Sequence, residues 1–313
     1  MGETTPRTVT IIGAGTIGLG WTALFLDAGL RVRVNSRRPD AERYVREALR
    51  MYAPTLPGGA RDPEELAAAL EFEPDLARAV DGAHVVQENV PENLALKQEL
   101  YARIEGAAKP DALLLSSTST LLPDDIGALM TDSRRVVVGH PFNPPHVVPL
   151  VEVVGGERTD PDALDEAEEF YRSVGKFPVR LRRPVAGFVA NRLQSALLQE
   201  SIHLVTEGVV TVEELDAVVT QSIGLRWATV GPFLAFHLGG GEGGLRKWLT
   251  TLGAGLEKGW AGLGRPRMTP EVIELLIAQA DQAYGGRTYT DLSLERDHKQ
   301  NAVLRARAGA VPG

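Results

Sequence analysis

The sequence predicts an α/β fold, a doubly wound parallel sheet followed by a smaller all-α domain. Three observations carry that expectation. Up to about Val154, short β-branched runs alternate with amphipathic segments, which is the pattern of a parallel sheet wrapped by helices. A G-x-G-x-x-G spacing follows the first of these runs directly. Beyond Pro184 the strand signals give way to long helical periods.

In chain order, TVTII is the first strand and its glycines open a helix. RVRV is the second, and PDAERYVREALRMYAP continues as a helix. Residues 52–62, YAPTLPGGARD, are rich in proline and glycine and read as a surface loop. AHVVQE, ALLLSS and RVVVGH supply three more strands, and residues 161–171 an acidic helix. A strand-like run at 177–181 ends the first domain, and the boundary is placed at Arg183-Pro184, giving domains 1–183 and 184–313. Residues 188–207, 212–221, a glycine-broken 231–244, 270–284 and 292–306 read as helices.

A chain of 313 residues, 43% hydrophobic, can bury a substantial core. A formal charge of -8, with no basic stripe carrying interleaved aromatics, argues against nucleic acid as a partner. Without cysteine there is no disulfide, thiolate nucleophile or Cys-ligated metal, which fits a reducing compartment. The six histidines lack the close spacing of a zinc site, so no metal is expected. No run is long enough to span a bilayer, no room remains for a signal peptide, and Pro6 spoils the myristoylation pattern of Met1-Gly2. The expectation is a cytoplasmic protein without a membrane partner.

Gly13, Gly15 and Gly18 stand between an apolar strand and a helix opened by Thr16 and Ile17. There the first glycine permits the tight turn, the second lets backbone approach a pyrophosphate, and the third allows close helix–strand packing. This context defines a Rossmann-type dinucleotide site. At the end of the second strand an acid would bind both ribose hydroxyls of NAD, yet the chain has Asn35, Ser36, Arg37 and Arg38. Guanidinium groups suit a 2′-phosphate, so the expected cofactor is NADPH, with NADH as the alternative.

LLLSSTSTLLP, VVVGHPFNPP with PLVEVV, and AGFVANRLQ supply Ser119, His140, Glu152 and Asn191 near strand ends or helix starts. Reduction of a ketone needs a proton donor for the forming alkoxide, and a histidine held by a carboxylate provides one. These ordered motifs resemble the 3-hydroxyacyl-CoA dehydrogenase family, in which a glycine loop, Ser-Thr-Ser, H-x-F-N-P, L-V-E-V and G-F-x-x-N-R occur in this order. The resemblance implies Ser119, His140, Glu152 and Asn191 as the catalytic set. It also implies that Glu88, Lys97 and Asn143 line the nicotinamide side of the cofactor site, and that the protein is a homodimer. Within the family, SIGLRWATVGPFLAFHLGGGEGG resembles the λ-crystallin/L-gulonate and carnitine dehydrogenase subgroup. It is more similar still to the stereospecific ketoreductases of actinomycete aromatic polyketide pathways, the actinorhodin type. Arg226, Trp227 and Phe233 are candidate substrate residues on that segment. His203 and His237 lie on apolar helical faces and are expected to be structural.

The expected function is therefore NADPH-dependent, stereospecific reduction of a β-keto acid or polyketide intermediate. The alternatives are an NAD-dependent dehydrogenase of a 3-hydroxyacyl-CoA or small 3-hydroxy acid, and a crystallin-like structural protein. The helix after the second strand carries Arg43, Arg46 and Arg50 but none of the lysines that the family sets against the CoA nucleotide.

Overall fold

The computed structural model describes residues 7–309; the Met1-Gly2 start and Pro6 lie outside them. Eight strands form one sheet: β1 (Thr8–Ile12), β2 (Arg31–Asn35), β3 (Leu70–Phe72), β4 (Val85–Glu88), β5 (Leu113–Ser116), β6 (Val136–Pro141), β7 (Leu150–Val154) and β8 (Phe177–Arg180). Their order is β3-β2-β1-β4-β5-β6-β7-β8, so the chain reverses its direction of winding between β1 and β4. Clefts at such a switch point receive ligands in doubly wound sheets. Two features depart from expectation. The three-residue edge strand β3 is too short to leave an alternation in the sequence, and β7 runs antiparallel to β6. That reversal places His140 opposite Glu152 in register.

The helices of this part are α1 (Thr16–Asp27), α2 (Ala41–Tyr52), α3 (Pro63–Ala67), α4 (Leu76–Val80), α5 (Leu94–Glu105), α6 (Pro123–Ile126) and α7 (Pro161–Ser173). They cover both faces of the sheet, each face with its own apolar cluster. α1 is apolar all round and buries Trp21 and Phe25 completely; Trp21 stacks on Phe25 at 5.1 Å and on Tyr171 at 5.5 Å. Burying one such ring stabilises the fold by about 1.5–3 kcal/mol.

The remaining helices are α8 (Ala190–Thr206), α9 (Val212–Gln221), α10 (Ile223–Trp227), α11 (Pro232–Gly239), α12 (Gly244–Thr250), α13 (Leu256–Ala261), α14 (Pro270–Tyr284) and α15 (Tyr289–Gly309). α9 opens with a reciprocal capping box between Thr211 and Glu214. Two compact units result. The first runs through Asn191, past the Arg183-Pro184 boundary expected from composition, and takes back Arg296–Asn301 from α15. It extends to Asn191 because Glu152 binds the backbone that leads into α8. The returning turn is tied by Asn301, whose Nδ2 donates to the Thr55 carbonyl at 2.7 Å, and by Asp297, 3.3 Å from the buried His146. The His146 ring stacks on Tyr52 at 4.1 Å. In the second unit, α9, α10, α11, α13 and α14 bury no residue at all. Among the described residues no helix is long and apolar enough to cross a membrane.

Candidate active site

The turn after β1 is built as its glycines require. Gly13 has φ +97°, and a Cβ there would lie 2.8 Å from the Asn89 carbonyl oxygen. A Cβ on Gly18 would come within 1.9 Å of the Gly13 oxygen, so this glycine sets the distance between α1 and β1. A Cβ on Gly15 would meet no protein atom within 4 Å. Its position opens into a cavity of about 1020 Å³ lined by Gly13, Gly15, Thr16, Ile17, Asn35, Ser36, Arg37 and Arg38, with Asn89 and Val90 opposite. The amino end of α1 has no acidic residue in its first turn and no side-chain cap, so its N–H groups and dipole are left to an anion. These residues fit a dinucleotide pyrophosphate.

The adenosine end of the cavity is less cationic than Arg37 and Arg38 suggest. Asn35 is buried, and its Nδ2 donates to the carbonyls of Glu73 (2.8 Å) and Pro74 (3.1 Å). That leaves Oδ1 as its acceptor. Arg38 is paired with Asp40 at 3.2 Å and lies over the Tyr44 ring at 4.1 Å. Ser36 accepts a hydrogen bond from the Arg38 backbone N–H. Arg37 is exposed and, among the described residues, in no ion pair.

Glu88 and Lys97 do not line this cavity. They form an ion pair, 0% and 1% exposed, in which Lys97 Nζ donates to both Glu88 oxygens at 2.7 and 2.8 Å. Ser116 Oγ (2.6 Å) and the Val90 N–H (2.6 Å) also donate to the Glu88 carboxylate. A charge pair withstands burial only when its remaining acceptors are filled in this way. The residue that reaches the neighbouring loop is Glu92, which sequence reasoning missed. Its Oε1 accepts from Thr118 Oγ1 (2.6 Å), Thr120 Oγ1 (2.8 Å) and the N–H groups of Ser119 (3.2 Å) and Thr120 (3.1 Å). Burial acts to raise the Glu92 carboxyl, but these donors and Lys97 hold it below the usual glutamate range. Its place in ENLALK, beside Lys97, was the available signal.

Beyond the cavity, His140 on β6 and Glu152 on β7 are 3% and 2% exposed and joined Nδ1 to Oε2 at 2.9 Å. The other oxygen of Glu152 accepts from the N–H groups of Val189 (2.9 Å) and Ala190 (3.0 Å). Those N–H groups are aimed by a left-handed step, Gly187 at φ +72° and Phe188 at φ +46°. A side chain in that region is strained, and the strain is sustained here by a fully buried Phe188 ring 5.3 Å from His140. Phe188, Val189 and Ala190 were also missed, although AGFVANRLQ contains them. Burial would raise the Glu152 carboxyl, but its hydrogen bonds from His140, Ala190 and Val189 outweigh that and lower it. An ionised Glu152 therefore accepts from Nδ1–H, so in the neutral imidazole the lone pair is on Nε2. Asn191 Nδ2 stands 3.5 Å from Nε2, a loose contact that a substrate hydroxyl can replace.

His140, Glu152 and Asn191 are thus brought together. Ser119 is half-buried on the Glu92-bound loop, and among the described residues its hydroxyl has no hydrogen-bond partner. Asn143 is exposed on the turn after β6. Arg226, Trp227 and Phe233 lie exposed on α10 and α11 of the second unit. His237 accepts the Leu245 N–H at 3.2 Å, and His203 packs where a Gly264 Cβ would stand. No group of three or more His, Asp or Glu among the described residues could hold a metal ion.

A pyrophosphate cradle at the switch point and a carboxylate-held histidine define an oxidoreductase working with a nicotinamide dinucleotide. Two family models match the chain: the NAD binding domain of 3-hydroxyacyl-CoA dehydrogenase over residues 8–184, and the C-terminal domain over residues 187–274. The chain belongs to the 3-hydroxyacyl-CoA dehydrogenase family. It is 42% identical over 300 residues to an L-carnitine dehydrogenase of Streptomyces coelicolor, covering 96% of this chain and 94% of the relative. It is also 42% identical to one of Burkholderia mallei, covering 96% and 93%. Among solved structures it resembles 5-formyl-3-hydroxy-2-methylpyridine 4-carboxylic acid 5-dehydrogenase, described as an NAD+ dependent dismutase. That match has TM-score 0.74 and 31% identity over 97% of this chain and 99% of that one. Mycobacterium tuberculosis FadB2 matches with TM-score 0.66 and 28% identity over 88% and 94%. The stronger likeness expected to polyketide ketoreductases is corrected: these relatives are named L-carnitine dehydrogenase.

Proposed function

We propose that the protein is an NAD-dependent dehydrogenase of a small 3-hydroxy acid of the L-carnitine type. The His140–Glu152 pair carries the chemistry of this reading, and the identity to L-carnitine dehydrogenases along almost the whole chain supports the substrate class. In oxidation, His140 Nε2 accepts the hydroxyl proton while Glu152 stabilises the imidazolium that forms. Asn191 and Ser119 hold the substrate oxygen in line with Nε2. A nicotinamide dinucleotide held at Gly13, Gly15 and Gly18 would supply the hydride acceptor for the carbinol carbon, as the substrate's O–H and C–H bonds give way to a C=O bond.

A free acid is favoured over a CoA ester because the arginines of α2 are already occupied. Arg43 pairs with Asp40 (2.8 Å) and Glu47 (2.9 Å), Arg46 with Glu42 (3.0 Å) and Arg50 with Glu64 (3.0 Å). NAD is favoured over NADPH by the NAD binding domain that matches this half of the chain and by the engagement of Arg38 with Asp40 and Tyr44. Arg37 is left as the one candidate for a 2′-phosphate, so NADP should serve as a weak second cofactor. Steady-state turnover should be highest, by kcat/KM, with NAD and either L-carnitine or 3-hydroxybutyrate. Higher values for 3-hydroxybutyryl-CoA would return the protein to acyl-CoA metabolism, and higher values for NADPH with an aromatic β-keto acid would restore the polyketide reading.

The partner proposed for the second unit is another copy of this chain. Its helices expose Leu193, Leu198, Val218, Phe233, Trp260 and Ile277, large apolar side chains of the kind that a subunit interface covers. Sedimentation equilibrium should give a dimer mass, and a monomer at micromolar concentration would remove the proposal.

A further inference from the structure

We propose that Lys176 is a positioning residue for the reaction at His140, its ammonium holding turn 142–149 and, through it, the Phe142 ring against the histidine. The inference rests on the assignment of His140 as the proton carrier.

Residues 144–147 of the turn between β6 and β7 are buried, and the turn is poor in its own hydrogen bonds. Pro144, Pro145 and Pro149 have no N–H, and the N–H groups of Val147 and Val148 both go to the Pro144 carbonyl at 3.0 Å. No backbone donor among the described residues reaches the carbonyls of Pro145 and Val148. A buried carbonyl left unpaired is costly. Lys176, 7% exposed, supplies both partners: Nζ donates to the Pro145 oxygen at 2.6 Å and to the Val148 oxygen. Its third N–H direction is met by the Trp21 ring, whose centroid lies 5.1 Å from Nζ. Two oxygens and an aromatic face match the three donors of an ammonium, whereas a neutral amine would have to turn a lone pair toward one of them.

The turn is wedged from the other sides as well. Pro145 lies so close to α1 that a Cβ on Gly20 would meet its Cδ at 2.7 Å. His146 is held by Tyr52 and Asp297. At the head of the turn, Phe142 meets the His140 ring edge to face at 4.8 Å. A turn held at its middle therefore fixes the ring that packs on the proton carrier.

Among the described residues no carboxylate pairs with Lys176. Burial alone pulls its pKa down to about 7. The ionisable side chains on the elements around it have other partners: Glu152 on β7 is bound by His140, Val189 and Ala190, Arg172 and Glu168 on α7 pair with each other, Arg180 of β8 pairs with Asp165 and Glu168, Asp27 of α1 pairs with Arg61, His146 is directed to Tyr52 and Asp297, and the Tyr171 hydroxyl donates to Gln87. The clamp should therefore weaken as pH rises above about 7, where Lys176 loses its charge.

The test compares Lys176→Met, Phe142→Ala, the double variant and His140→Asn. The readouts are kcat for oxidation across pH, ADP binding by calorimetry and thermal unfolding. ADP is chosen because it fits the cavity at the amino end of α1, whose lining includes no residue of turn 142–149. Lys176→Met should lower kcat about tenfold with ADP affinity within about twofold of wild type, and should remove any alkaline loss of kcat. Phe142→Ala, which leaves both carbonyl contacts to Lys176 in place, should give a similar loss, and the double variant should be no worse than either single one. Near-wild-type kcat in either single variant, multiplicative losses in the double one, or joint loss of kcat and ADP binding would overturn the proposal. If Lys176→Met does not fold, Phe142→Ala decides alone: a tenfold loss with ADP binding intact supports the clamp, and full turnover rejects it. Full turnover in His140→Asn would instead overturn the proton-carrier assignment itself.

Discussion

Replacing His140 by asparagine should lower kcat for 3-hydroxy acid oxidation by about 10²–10⁴, the usual contribution of a positioned general base. Asparagine is the informative choice because its amide nitrogen can still donate to Glu152 near the position of Nδ1, while nothing replaces the lone pair at Nε2. Dinucleotide affinity, read by fluorescence titration, should be unchanged, since His140 does not line the cavity that opens at Gly15. Oxidation uses Nε2 as the proton acceptor and reduction uses it as the donor, so the variant should lose both. A variant that kept wild-type turnover with chemistry rate-limiting would show that another group moves the proton.

Glu152→Gln should be nearly as damaging to turnover, by about 10²–10⁴, because it reverses the polarity of one hydrogen bond. The glutamine oxygen can accept the N–H groups of Val189 and Ala190, which forces its NH₂ toward His140 Nδ1. The ring must then carry its proton on Nε2, the tautomer that cannot act as a base. Stability should respond with a defined sign. The folded protein holds the Glu152 carboxyl below its ordinary value of 4.5. Its stabilising contribution is therefore present above pH 4.5 and is lost as pH falls through the lower folded value. Thermal unfolding of wild type and Glu152→Gln should differ near neutral pH and converge in acid. A difference that widened on acidification would mean that Glu152 is not the ionised partner inferred here.

Much of the site was legible because its signals are local. Gly13 turns at positive φ and Gly18 packs on the Gly13 oxygen within one strand–turn–helix unit, so their spacing in that context announced the dinucleotide cradle. His140, Glu152 and Asn191 stand in short ordered motifs, and the antiparallel register of β6 and β7 brings the first two together. Local reading failed where a charged side chain looks free in the sequence but is paired in the fold. Glu88 and Lys97 carry charges that suggest an open site, but the donors of Ser116 and Val90 let them pair in the interior. Arg38 looks free for a phosphate until Asp40 and Tyr44 are seen to hold it.

The sequence by itself determined the doubly wound sheet, the helical second half, the glycine turn and the histidine–carboxylate chemistry, since alternation, helical period and motif spacing are encoded within a few residues of one another. Only the tertiary structure decided which charges are spent internally, that β7 reverses to meet β6, that Phe188 is forced left-handed to aim two N–H groups at Glu152, and that Lys176 reaches back to the turn beside His140. Each of these depends on contacts between segments separated along the chain, where burial removes water and leaves every polar group to the partners that packing brings within reach.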